Sequence, residues 1–84
     1  MTLTQMRYFY EVCNWRSITK AAASLHISQP AVSIAMADLE KESGLNLFRR
    51  EGKKLSLTED GSLLLSKITP ILANLQQLDR DIKD

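Results

Sequence analysis

Four of the six residues from Arg49 to Lys54 are cationic: Arg49, Arg50, Lys53 and Lys54, with Glu51 and Gly52 between them. A run of that sign suits a polyanion, although most charge runs only face water and a solvated loop is the alternative here. A second polar set stands upstream. Gln29 and Ser33 are four residues apart and share one face of a helix, and the Gln29 amide carries the donor and acceptor that match an adenine edge. Ser33 is short enough to serve either a base or a phosphate, and the neighbouring Pro30 and Ile34 offer only apolar contact, as to a thymine methyl. Ser17, Thr19 and Lys20 place two hydroxyls and an ammonium at the start of a further helix, and Ser28 opens the helix that carries Gln29. Hydroxyls and helix N-termini are groups that meet phosphate oxygens; plain helix capping is the other reading of Ser17 and Ser28, and the two uses can coexist. Catalysis has no comparable set. The chain holds one histidine, His26, and one cysteine, Cys13, with no glycine-rich loop and no carboxylate pair flanked by a base. No catalytic residue and no metal ligand is expected, because activity needs a cluster of such groups.

These side chains need helices and a hairpin to hold them. Leu3, Met6, Phe9, Tyr10 and Cys13 recur at three- and four-residue intervals, with Thr2 and Gln5 spaced as a capping box. Asn14 to Arg16 break that pattern, and Ser17 then caps a short helix containing Ala21, Ala22 and Ala23, small enough to let another helix cross closely. His26 and Ile27 make a brief turn, where His26 reads as a packing or backbone-contact residue. Ser28 caps the next helix, with Pro30 tolerated in its first turn. Val32, Ala35, Met36 and Leu39 form its core face, and Gly44 ends it with Leu45 folding back as the apolar partner. Two short helices joined in this way are the arrangement of a helix-turn-helix, over about residues 18–37; a generic pair of angled helices is the competing reading. Residues 48–57 alternate as a β-hairpin turning at Gly52. So basic a hairpin, directly after a helix-turn-helix, fits a wing lying along a phosphate backbone.

Thr58 caps the last helix, with Glu59 and Asp60 at the positive end of its dipole. Leu64, Ile68, Ile71, Leu75, Leu78 and Ile82 are spaced as a heptad seam, expected to pair two chains, and Leu65 and Leu72 add a stripe beside it. Two stripes imply two partners: the helix's own domain and another chain. Pro70 costs the hydrogen bond to the Ser66 carbonyl and is expected to kink this helix.

At 84 residues the chain fits one small domain with a modest core, and 44% hydrophobic with 25% charged residues is ordinary for a folded protein. A net charge of +1 hides an asymmetry: residues 1–58 hold eight Lys or Arg against five Asp or Glu, whereas residues 59–84 hold three against five. Two surfaces with different tasks are implied. Cys13 sits among apolar residues and reads as a buried thiol, with no second cysteine for a disulfide. The first residues lack the form of a signal peptide and no apolar run reaches the ~20 residues of a membrane span, so the expected compartment is the cytoplasm. The pattern predicts a mainly α fold, a winged helix-turn-helix of three helices and a two-stranded hairpin over residues 1–58, followed by a long dimerisation helix over 59–84.

With these elements placed, the sequence resembles the N-terminal region of the LysR-type transcriptional regulators. The matching stretches are Leu3 to Phe9, Ser17 to Ala22, Leu25 to Ser33, Leu39-Glu40, Gly44, Leu47 to Arg50 and Leu57 to Gly61, and the resemblance covers the whole chain. It implies sequence-specific binding of double-stranded DNA, with the helix after the turn in the major groove and the wing on the phosphates. It also implies linker helices that pair two subunits antiparallel, and a C-terminal domain, absent from this chain, that senses a small-molecule effector and completes a tetramer. No cofactor is expected in these 84 residues and no membrane partner. The chain departs from the family pattern at Ile34, Ala35 and Ala37, where long polar or basic residues are common, so direct base reading is expected to be thin. That apolar face leaves one rival, a winged-helix module that binds protein without DNA specificity.

Overall fold

The computed structural model describes residues 1–52 and 54–83, which form four helices and one hairpin in the order α1 (Leu3–Trp15), α2 (Ile18–Leu25), α3 (Gln29–Ser43), β1 (Phe48–Glu51), β2 (Lys54–Leu57) and α4 (Glu59–Lys83). Local chemistry sets most of these limits. The Thr2 hydroxyl accepts from the Gln5 amide at 3.1 Å while the Gln5 side chain accepts from the Thr2 amide at 2.9 Å, completing the capping box of α1. Ser17 and Ser28 cap α2 and α3 by accepting from Lys20 N at 3.1 Å and Ala31 N at 3.2 Å. The α1 and α2 helices end at residues in the left-handed region, Arg16 (φ 50°) and His26 (φ 58°). The Ile27 amide returns to the Ala22 carbonyl at 3.0 Å, which closes the turn between α2 and α3.

The core joins Phe9 and Val12 of α1, Ala21 and Ala22 of α2, Val32, Met36 and Leu39 of α3, Leu47 before the wing and Ile68 of α4. Phe9 also meets Phe48 of β1, ring centroids 5.4 Å apart. Two packing expectations need correction. Leu45 is exposed and Leu47 is the residue driven inward, so the apolar partner after Gly44 lies two positions later. Ile68, assigned above to a seam between chains, is 1% exposed within the chain's own core. Burying an isoleucine is worth about 1.5–3 kcal/mol, and the domain needs α4 as a roof over α1 to secure it. Leu64, Leu65 and Leu72 pack against the same core. The first half of α4 therefore belongs to the winged domain, and residue 58 marks the end of an element, not the edge of the core.

The wing is an antiparallel pair with Phe48 opposite Leu57, Arg49 opposite Ser56, Arg50 opposite Leu55 and Glu51 opposite Lys54. Gly52 takes φ +63° in its turn, a conformation with a steric cost for other residues. Lys53 lies outside the described residues. Two side chains anchor the hairpin's base. The Glu40 carboxylate accepts from Leu47 N at 2.7 Å, and the Thr58 hydroxyl donates to the Asn46 carbonyl at 2.6 Å while accepting from Gly61 N at 3.0 Å. Gly61 lies directly under the Leu47 carbonyl, with no room for a Cβ, which lets α4 start hard against the strand entry. The α4 helix runs through Pro70 to Lys83.

Candidate nucleic-acid interface

The starts of α2 and α3 and the wing enclose a cleft of about 310 Å³. Ser17 and Thr19 line it from α2, Gln29 from α3, and Arg50 and Lys54 from the hairpin. Five residues singled out for phosphate or base contact, far apart in sequence, thus converge on one surface. The Ser17 and Ser28 hydroxyls are both engaged as caps, but each accepts a hydrogen bond there and keeps its own proton to donate. Gln29 donates to the Ser33 hydroxyl at 3.2 Å, so the amide at the tip of α3 is held by its neighbour one turn on.

The other candidates, Lys20, Ser28, Pro30, Ser33, Ile34 and Arg49, do not line the cleft. Thr19, Lys20, Ser28, Arg49, Arg50 and Lys54 are exposed, and Arg49 is adjacent to Arg50 on β1. Pro30, Ile34 and Ala37 are exposed on α3, opposite its core residues, and Ile34 shows 62% of its surface. The outward ridge over the first turns of α3 is therefore apolar, as its composition indicated.

No residue lining the cleft is acidic. Among the described residues the one ion pair is the N-terminal ammonium with Glu42 at 3.6 Å; Glu51 stands opposite Lys54 in the ladder without forming one. Among the described residues the cations here face solvent without an ion-paired carboxylate. Among the described residues there is also no cluster of three or more His, Cys, Asp or Glu that could hold a metal ion, and no helix is long and apolar enough to cross a membrane.

One lining residue was not singled out in the sequence: Arg16, beside Ser17 in the same cleft. Its side chain is placed there by the left-handed cap that ends α1, a backbone state that an arginine codon does not announce. A second unforeseen group is Glu11. Its carboxylate accepts from the Trp15 indole at 3.0 Å and the Ser24 hydroxyl at 3.1 Å, tying α1 to the last turn of α2.

Cys13 is half-buried near a cavity of about 230 Å³ between α1, the wing and α4. Burial pushes its thiol up to about 12, with the nearby Arg16 charge pulling the other way. At the far side of the molecule the seam residues divide. Ile71, Leu78 and Ile82 are exposed and Leu75 is half-exposed. Leu75 lines a groove of about 460 Å³ between α1 and α4, with Tyr10, Leu25 and Leu72 as apolar walls and Arg7, Glu11 and Asp79 among its charged lining.

Comparison with known proteins is consistent across sequence and structure. A sequence profile of the bacterial regulatory helix-turn-helix proteins of the lysR family matches residues 3–62. The RuBisCO operon transcriptional regulator of Allochromatium vinosum is 42% identical over 79 residues, covering 94% of this chain and 26% of that protein. The HTH-type transcriptional regulator CysB of Burkholderia cenocepacia is 41% identical over 86 residues, covering 100% of this chain and 28% of its own length. The chain thus spans about a quarter of the length of the curated relatives it matches. Among solved structures, the BenM_DBD/catB site 1 DNA complex superposes with a TM-score of 0.93 at 34% identity, over 99% of this chain and 93% of that one.

Proposed function

Because the chain belongs to the LysR family of bacterial regulatory helix-turn-helix proteins, we propose that it is the double-stranded-DNA-binding module of a transcriptional regulator. The observation that carries this reading is the acid-free cleft in which Gln29 at the tip of α3 meets Arg50 and Lys54 of the wing. The α3 N-terminus enters the major groove, with Gln29 on an adenine edge and Ser33 on a base or phosphate, while Pro30 and Ile34 meet thymine methyls. Ser17, Thr19, Lys20, Ser28 and the wing cations hold the phosphates. Base reading by so few groups leaves much of the specificity to DNA shape.

Two copies pair through the distal part of α4, where Ile71, Leu75, Leu78 and Ile82 would otherwise stay in water. By family resemblance the pairing is antiparallel. The 25 residues of α4 measure about 38 Å at ~1.5 Å per residue, enough to set two α3 helices at half-sites about 34 Å apart or a multiple of it. A C-terminal effector-binding domain in the parent protein would supply small-molecule control and a tetramer, and the cytoplasm is the working compartment.

The test is a salt titration of binding to duplex DNA. Phosphate neutralisation makes log K fall linearly with log salt, and Arg50→Ala should reduce that slope by about one. The apolar ridge at Ile34 favours one other reading, a protein-binding module. Absence of salt-dependent DNA binding would select it.

A further inference from the structure

We propose that the cleft between α2 and the wing seats one phosphate of the DNA backbone, with Arg16 as a cationic wall of that seat. The proposal rests on the reading of this chain as a duplex-DNA binder and assigns a contact to a residue outside the helix-turn-helix and the wing.

Three observations meet at this position. Arg16 ends α1 at φ 50° and ψ 35°, with its amide bonded to the Val12 carbonyl at 2.8 Å. Glycine or asparagine occupies such a cap with less steric cost, so an arginine here is not what the backbone alone would favour. Secondly, the cap holds Arg16 at the wall of the same cleft as Arg50 and Lys54, which come from the hairpin on the other side. Thirdly, among the described residues none of the three cations has a carboxylate within ion-pair distance and no acidic residue lines the cleft. Three like charges around one cleft of about 310 Å³ make a site that an anion would complement. A phosphodiester fits the surroundings. The Ser17 hydroxyl retains its proton for donation, Thr19 adds a second hydroxyl, and the planar guanidinium fork of Arg16 matches two phosphate oxygens.

The seat also gives α1 a task. Its C-terminal cap fixes a charge at the junction of two DNA-contacting elements, so the wing and the start of α2 grip a single point on the backbone. Because a phosphate carries no base identity, Arg16 should add affinity evenly across sequences.

The experiment compares wild type with Arg16→Gly, Arg16→Lys and Arg80→Ala on a random-sequence duplex and on a duplex chosen by selection, across a salt series. Glycine suits φ 50°, so Arg16→Gly should unfold at or above the wild-type temperature. Its DNA affinity should nevertheless fall roughly five- to tenfold at about 0.1 M salt on both duplexes, with the salt slope smaller by about one. Arg16→Lys should keep most of the slope. Arg80→Ala, which removes the same charge near the end of α4, should leave it unchanged. An unaltered slope in Arg16→Gly, a loss confined to one duplex, or an equal loss in Arg80→Ala would overturn the seat. Wild-type protein with no salt-dependent binding would take down the DNA reading itself, an outcome distinguishable from loss of the seat alone.

Discussion

At one end of the molecule, where α2 and α3 begin beside the wing, cations and hydroxyls line a cleft that no carboxylate lines. Along the distal part of α4 the exposed large apolar residues are Ile71, Leu78 and Ile82, among exposed polar residues of both signs such as Asp79, Arg80 and Asp81. An unneutralised charge and an uncovered apolar side chain are both incomplete, but different partners complete them. The first calls for a polyanion, whose binding weakens with salt; the second calls for another apolar surface, whose binding is far less sensitive to it. That difference allows each end to be disabled separately.

The largest effect is expected at the apolar end. Leu75→Lys would place an unpaired charge in the proposed seam and should weaken the dimer on the order of 3 kcal/mol, roughly a hundredfold or more. Sedimentation at tens of micromolar should show a wild-type dimer and a monomeric variant. DNA affinity should drop as well, because two half-sites would no longer be bound as one unit. A wild-type monomer would remove the pairing surface from the account, and a Leu75→Lys dimer would move it elsewhere.

At the charged end, Gln29→Ala should relax selection at one position per half-site by about 1–3 kcal/mol, with the fold intact by circular dichroism. Ile34→Ala should have a smaller effect, confined to a thymine position. A randomised-site selection that returned an unchanged profile for Gln29→Ala would sink the base-reading role of α3.

At neutral pH the smallest effect belongs to Cys13, whose thiol matters to stability only at high pH. Burial raises its folded thiol to about 12 from 9.0, so the unfolded chain ionises first as pH rises. The stability this provides is fully present below pH 9 and is lost progressively towards 12. Chemical denaturation across that window should show a steeper decline for wild type than for Cys13→Ala. At neutral pH the folded thiol should react slowly with iodoacetamide. Fast alkylation without unfolding would contradict its burial.

Much of this arrangement was legible from residue types. Thr2 with Gln5, Ser17, Ser28 and Gly44 marked helix limits because capping is local chemistry, and Gly52 marked the wing's turn for the same reason. The α4 seam was legible as a stripe but not in its allocation. Leu64, Ile68 and Leu75 have the same spacing logic, yet Ile68 is taken by the Phe9 and Val12 core whereas Leu75 is left half-exposed. Periodicity tells which side of a helix is apolar and is silent on what covers it. Leu47 displaced Leu45 as the inward residue because Glu40 and Thr58 pin the Asn46–Leu47 backbone, two long-range bonds with no local signature. Arg16 carries no such signal, because its place in the cleft depends on a left-handed cap and on a hairpin more than thirty residues away in sequence.

The central claim, that DNA meets the charged end and leaves the apolar end free, is tested most directly by titrating the ¹⁵N-labelled protein with a duplex and following every backbone amide. The account predicts shifts at residues 16–20, 29–34 and 49–54, with the amides of residues 76–83 undisturbed. Shifts concentrated in residues 76–83, with those of α3 and the wing unmoved, would contradict it.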